Sequence, residues 1–144
     1  MFNQSAKRSV RVLLADDSPC FLRALSRMLS SEGGFEIVGQ ASSGNEAVES
    51  TLILRPDLVL MDVSMPGLSG LEATSIIKEQ AAAPRVIIVT LNDDGLLASQ
   101  SRQVKADGFI SKASVALELI PLIRQLFAEP VTTLSAGTGI VSSG

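Results

Sequence analysis

The strongest constraint on this chain is an alternation of short, continuous apolar runs with stretches of helical periodicity. Val10 to Ala15, Phe35 to Gln40, Leu58 to Met61, Val86 to Val89 and Gly108 to Ser111 read as strands. Runs that are apolar throughout belong to strands buried on both faces, as in a parallel sheet. Between the first two, Ser18 is placed to N-cap a helix with Pro19 in its first turn. Leu22, Leu25, Met28 and Leu29 then recur at helical spacing, and Gly33-Gly34 ends the helix. Ser43 with Glu46 predicts a capping box for a helix to about Leu54, with Ala47, Val48, Thr51 and Leu52 facing inward. Ser69 with Glu72 predicts another for a helix from Gly70. Asp93 or Asp94 is expected to cap a fourth helix through about Val104, and a last helix runs to about Phe127. Five strands alternating with five helices predict an α/β domain with helices on both faces of a parallel sheet.

Two helices differ from the rest. The fourth has only Leu96, Leu97 and Val104 as large apolar residues, which predicts a poorly anchored, mobile element. The last carries two stripes, Leu119, Leu122 and Leu126 beside Ile120, Ile123 and Phe127. That excess implies either a partner surface or a wide core face. Pro121 lacks an N–H, so this helix should start late or bend there. Residues 1–8 read as an N-terminal tail, 9–128 as the domain, and 129–144, rich in Ser, Thr, Gly and Val, as a tail or linker.

Composition removes several function classes. The net charge is −3, which argues against a basic face for non-specific nucleic-acid binding. Cys20 is the one cysteine, so no internal disulfide forms and a reducing compartment is expected. It is expected to serve a structural role. No apolar window has the length of a signal-peptide core or a membrane span, which predicts a cytoplasmic protein without a membrane partner. The chain has no His, Trp or Tyr, so it lacks the commonest general base and all but phenylalanine for stacking.

In an open parallel sheet, sites form at the carboxyl ends of the strands. There the chain puts Asp16 and Asp17 after strand one, Asp62 after strand three, Thr90 after strand four and Lys112 after strand five. Each is ordinary alone, as a cap, a strand end or a surface charge. Together they are three carboxylates, a hydroxyl and an ammonium on one edge. Clustered carboxylates repel and call for a hard cation with oxygen ligands, Mg²⁺ or Mn²⁺. Metal, lysine and hydroxyl could each take one oxygen of a phosphoryl group while a carboxylate attacks phosphorus. Asp62 is the better nucleophile. It stands alone before the turn Val63-Ser64-Met65-Pro66-Gly67, whereas the adjacent Asp16 and Asp17 suit a metal.

These residues resemble the receiver domain of bacterial two-component response regulators. The resemblance covers about residues 9 to 128. It rests on Leu-Ala-Asp16-Asp17-Ser, Leu-Met-Asp62-Val-Ser-Met-Pro-Gly, Gly70, Thr90 and Lys112. It implies a flavodoxin-like sheet with strand order 2-1-3-4-5. It implies that Asp62 accepts phosphate from a histidine of a sensor histidine kinase, with Mg²⁺ as cofactor. Asp17, Asp62 and the Ser64 backbone carbonyl would ligate the ion, with Asp16 acting mostly through water. Thr90 and Lys112 would bind the phosphoryl oxygens. Phe109 matches the switch aromatic that turns inward when Thr90 moves. The output would be a changed surface on the last two helices, including a homodimer through them. The domain would be a signalling phosphoacceptor that catalyses only its own phosphorylation and dephosphorylation.

Lys112-Ala113-Ser114 and Met-Pro-Gly-Leu-Ser-Gly are similar to LuxR/NarL-type DNA-binding regulators, which implies control of transcription. No DNA-binding module fits in residues 129–144, so DNA would be reached only through a domain absent from this chain. The chain is then a piece of a longer regulator or a stand-alone receiver, and the LuxR/NarL-like features favour the former. Leu91 is bulky for its position and is expected to restrict small phosphodonors. Ser64 and Asn92 occupy the positions that tune dephosphorylation in this family. Two alternatives differ in class. A haloacid-dehalogenase-type phosphatase would need Asp-x-Asp after strand one. A flavodoxin would need a phosphate loop and stacking aromatics.

Overall fold

The computed structural model describes residues 8–91 and 95–128. The expected Asp93 or Asp94 cap, Asn92 and residues 129–144 lie outside them. Five strands, β1 (Val10–Ala15), β2 (Phe35–Ala41), β3 (Leu58–Asp62), β4 (Arg85–Thr90) and β5 (Gly108–Ser111), form one sheet in the order β2-β1-β3-β4-β5. All four pairings are parallel. The helices are α1 (Pro19–Glu32), α2 (Gly44–Leu54), α3 (Gly70–Lys78), α4 (Gly95–Gln103) and α5 (Val115–Phe127), the last preceded by a 3₁₀ turn, Lys112–Ser114. This is the flavodoxin-like topology expected.

Successive strand side chains point to opposite faces, and the two cores divide accordingly. Val12, Leu14, Leu58, Leu60, Ile87 and Val89 pack with Leu25 and Leu29 of α1 and Leu119 and Ile123 of α5. Leu13, Ala15, Val59, Met61, Val86 and Ile88 pack with Ala47 of α2 and with Ala73 and Ile77 of α3. Every residue of β3 is buried, as its uninterrupted apolar run requires. The β1–β2 register slips between Val12 and Leu13, a bulge that brings Ala41 level with Ala15. The Asp16 N–H then donates to the Ala41 carbonyl at 2.9 Å, fixing the chain as it leaves the sheet.

Several local expectations are corrected. Leu52 is 52% exposed. Leu54 turns inward instead, because its Cδ1 sits only 2.7 Å from where a Cβ on Gly39 would lie. Ser43 does cap α2, accepting the Glu46 N–H, but Glu46 closes on the N–H and hydroxyl of Ser42 rather than on Ser43. The Ser69–Glu72 box is complete. Cys20 is exposed rather than packed, since Phe21 and Leu22 take the inward positions of that turn.

α5 does not start late, and Pro121 lies inside it. The carbonyl that Pro121 leaves without a donor belongs to Leu117, a residue that is 84% exposed and so on the solvent side of the helix. The two stripes of α5 form a wide core face. Leu119 and Ile123 are fully buried, with Ile120, Leu122, Leu126 and Phe127 packed around them. In α4 the one buried residue is Ser101, whose hydroxyl turns back to the Leu97 carbonyl at 2.8 Å. No helix among the described residues is long and apolar enough to cross a membrane.

Candidate functional site

Each residue singled out at a strand end stands at the carboxyl edge of the sheet. Asp62 closes β3 in register with Val89, one residue before Thr90 closes β4. Thr90 is buried and in register with Ser111, the residue before Lys112. Asp16 follows β1, and carboxylate oxygens of Asp16, Asp17 and Asp62 lie within 4.8 Å of one another. Asp16 and Asp62 are buried, while Asp17 is exposed. Phe109 sits one layer below the edge, level with Ile88 and half-buried against the core on the α2–α3 side.

Asp16 organises the cluster. Its Oδ1 accepts the Ser18 N–H at 2.8 Å. Its Oδ2 lies 2.7 Å from Lys112 Nζ, and only 12% of the lysine side chain is exposed. That contact is one of charge. The same oxygen is buried without a directed hydrogen bond among the described residues, so it keeps a lone pair for a cation or a cation-bound water. Lys112 reaches Asp62 less closely, at 3.9 Å to Oδ1. A trio of carboxylates with one lysine leaves the site short of positive charge, and an all-oxygen donor set fits a hard divalent ion.

Asp62 responds to this setting. Burial, then the Asp16 charge, push its carboxyl up from the ordinary 3.8 to about 6. Asp17 adds to the rise, while Lys112 and the Ser64 N–H oppose it by stabilising the carboxylate. A cation at this edge would relieve the part of the rise that comes from the neighbouring carboxylates.

The loop after Asp62 is set by its neighbours. The Gly70 N–H donates to the Val63 carbonyl at 2.9 Å. A Cβ on Gly70 would fall 1.9 Å from the Asp62 carbonyl oxygen, so only glycine lets α3 begin there. Asn45 Oδ1 accepts the Leu68 N–H at 3.1 Å and holds the far end of the loop against the start of α2. Leu91 is 78% exposed, too solvated to be packed down over Thr90.

Two contributors escape a sequence reading. The Phe21 ring lies under the Lys112 ammonium, 4.3 Å from Nζ to the ring centroid. Its place in the first helical turn after the acidic pair was the available signal. Asn45 carried none, because nothing local ties residue 45 to residue 68.

The acidic cluster with its lysine stands at the carboxyl edge of a five-stranded parallel sheet, where sites form in open α/β folds, and its donor set suits a hard divalent ion. The family model described as the response regulator receiver domain matches residues 12–124, and the chain belongs to that family. Response regulator GacA of Pseudomonas viridiflava is 37% identical over 119 residues, 83% of this chain and 56% of that protein. The chain thus spans about half the length of the curated relatives it matches. A two-component response regulator of the LuxR family from Aurantimonas sp. SI85-9A1 is 30% identical with a TM-score of 0.78, over 82% of this chain and 84% of that one. The CheX–CheY–BeF3–Mg²⁺ complex from Borrelia burgdorferi matches at 27% identity and a TM-score of 0.78, over 85% and 92%. Membership of this family displaces the phosphatase and flavodoxin alternatives.

Proposed function

We propose that this chain is a phosphorylation-operated switch in which Asp62 is the phosphoacceptor. The observation that carries the reading is Lys112 Nζ, 2.7 Å from Asp16 Oδ2 and 3.9 Å from Asp62 Oδ1. A largely buried ammonium beside Asp62 supports the reading, since a transferred phosphoryl group would need a cation there.

A carboxylate oxygen of Asp62 attacks the phosphorus of a phosphohistidine on a sensor histidine kinase. The P–N bond breaks, its electron pair stays on the imidazole nitrogen, and an acyl phosphate forms on Asp62. Lys112 and the Thr90 hydroxyl bind two of the phosphoryl oxygens. Asp16, Asp17, Asp62 and the Ser64 carbonyl would hold Mg²⁺, which would supply positive charge to the phosphoryl group. The Borrelia neighbour, solved with BeF3 and Mg²⁺, supports that choice of ion.

The added charge then biases the surface. Phe109 and the lightly anchored α4 are the movable parts, and exposed Leu96 and Leu117 offer apolar area for a homodimer through α4 and α5. The protein would work in the cytoplasm as a signalling module rather than a turnover enzyme. Its output would be transcription, through a DNA-binding domain outside this chain, as the LuxR-family neighbour suggests.

The test is intact mass after incubation with acetyl phosphate and Mg²⁺, or with a phosphorylated kinase. Wild type should gain one phosphoryl group and Asp62→Asn none. Stoichiometric uptake by Asp62→Asn would overturn the assignment.

A further inference from the structure

Lys112 meets two groups on the stretch of chain that leads from β1 into the first turn of α1. One is Asp16, at 2.7 Å. The other is the face of Phe21, at 4.3 Å. The turn binds both into one unit. Asp16 Oδ1 accepts the Ser18 N–H at 2.8 Å, and Ser18 Oγ accepts the Phe21 N–H at 3.3 Å. Metal-side acid, helix cap and aromatic ring are therefore fixed to one another at the start of α1, and Lys112 comes to them from the far side of the sheet.

A lysine ammonium is a point charge on a flexible stem. With Asp16 as its one short partner, it could settle wherever that carboxylate leads. An aromatic face attracts a cation through the ring quadrupole, and more strongly where water is excluded. The ring supplies the second anchor that a point charge needs to have a defined position. We infer that Phe21 is a positioning residue for phosphoryl binding, acting through Lys112 by holding its ammonium desolvated and within reach of Asp62. This inference rests on the reading of Asp62 as phosphoacceptor.

Phe21 packs against the α1–α5 core, so Phe21→Leu keeps the apolar bulk and removes the π face, while Phe21→Trp enlarges that face. Two measurements test the role. By NMR, the Lys112 ε-methylene protons should sit upfield in wild type and Phe21→Trp, shifted by the ring, and return downfield in Phe21→Leu. By calorimetry, Mg²⁺ affinity should stay within about two-fold in both variants, because neither change touches a carboxylate. Affinity for beryllofluoride, a phosphoryl mimic, in saturating Mg²⁺ should fall roughly three- to ten-fold in Phe21→Leu and recover in Phe21→Trp.

Beryllofluoride binding by Phe21→Leu that matches wild type would overturn the role of Phe21 alone. Parallel loss of Mg²⁺ and beryllofluoride, or no recovery in Phe21→Trp, would reduce the residue to packing. Wild type that takes up no beryllofluoride while its Lys112 resonances show the ring shift would place the failure in the Asp62 reading, and the positioning role would fall with it.

Discussion

Asp62→Asn should make this domain more stable when divalent cations are withheld. The Asp62 carboxyl is pushed from 3.8 up to about 6 by burial and by Asp16. Between those values the folded chain keeps a proton that the unfolded chain has released, so stability falls as pH rises through the window. The deficit is complete about one pH unit above the folded value, and a shift of this size corresponds to about 3 kcal/mol. The Asp62 side chain is only 7% exposed, so solvent does little to screen it. Asn keeps the shape and an oxygen for the Ser64 N–H but never ionises. In EDTA at pH 7.5 the variant should gain up to about 3 kcal/mol, roughly 10 °C in Tm. The advantage should shrink towards zero near pH 4. Saturating Mg²⁺ should narrow it at pH 7.5 by stabilising wild type more. Urea melts followed by far-UV circular dichroism are the assay, since the chain has neither Trp nor Tyr for intrinsic fluorescence. An advantage that is absent at pH 7.5, or that stays constant from pH 4 to 7.5, would refute the claim that crowded, buried charge governs this site.

Two further substitutions separate the active edge from its support. Gly70→Ala would stabilise an exposed helix by up to about 1 kcal/mol. Here the new Cβ would lie 1.9 Å from the Asp62 carbonyl oxygen and 2.9 Å from Val63 Cα, both backbone, so a net loss of about 1–3 kcal/mol is expected in urea melts. Asp107→Ala removes an oxygen shared by Lys78 Nζ and the Val86 N–H, each at 2.8 Å, and a longer contact to Arg85 at 3.6 Å. About 2–3 kcal/mol should be lost, while the rate of phosphoryl uptake below the melting range stays unchanged, because Asp107 lies at the opposite edge of the sheet.

What could be read from the sequence depended on how local its cause was. The three inner strands, β1, β3 and β4, are apolar runs whose burial on both faces follows from composition, while the edge strands β2 and β5 are only partly buried. The Ser18 and Ser69 caps follow from spacing within one turn. The inward face of α2 did not follow, because it is set by a recess at Gly39, on a different element, that admits Leu54. The partner of Glu46 does not follow from spacing either, since Ser42 offers an N–H and a hydroxyl together. Pro121 sits mid-helix with Leu117, the residue whose carbonyl it leaves without a donor, on the exposed side of α5, a property of the packed helix and not of the dipeptide.

The candidate site divides along the same line. Asp16, Asp17, Asp62, Thr90 and Lys112 were legible because a parallel sheet sends every strand's carboxyl end to one edge. Their pairing was not. In the order β2-β1-β3-β4-β5, three interstrand gaps separate β1 from β5, or about 14 Å at the usual spacing. A lysine side chain alone does not cross that distance, so the 3₁₀ turn Lys112–Ser114 must curl over the sheet as the chain enters α5. Only after that curl can the ammonium reach Asp16 and the Phe21 ring. The contact depends on twist, on turn geometry and on the pitch at which α1 leaves Ser18, three quantities that belong to the assembled fold. A site whose acids are given by strand ends is thus tuned by a cation whose position is given by tertiary structure, and Phe21 is where that tuning can be altered without removing any charge.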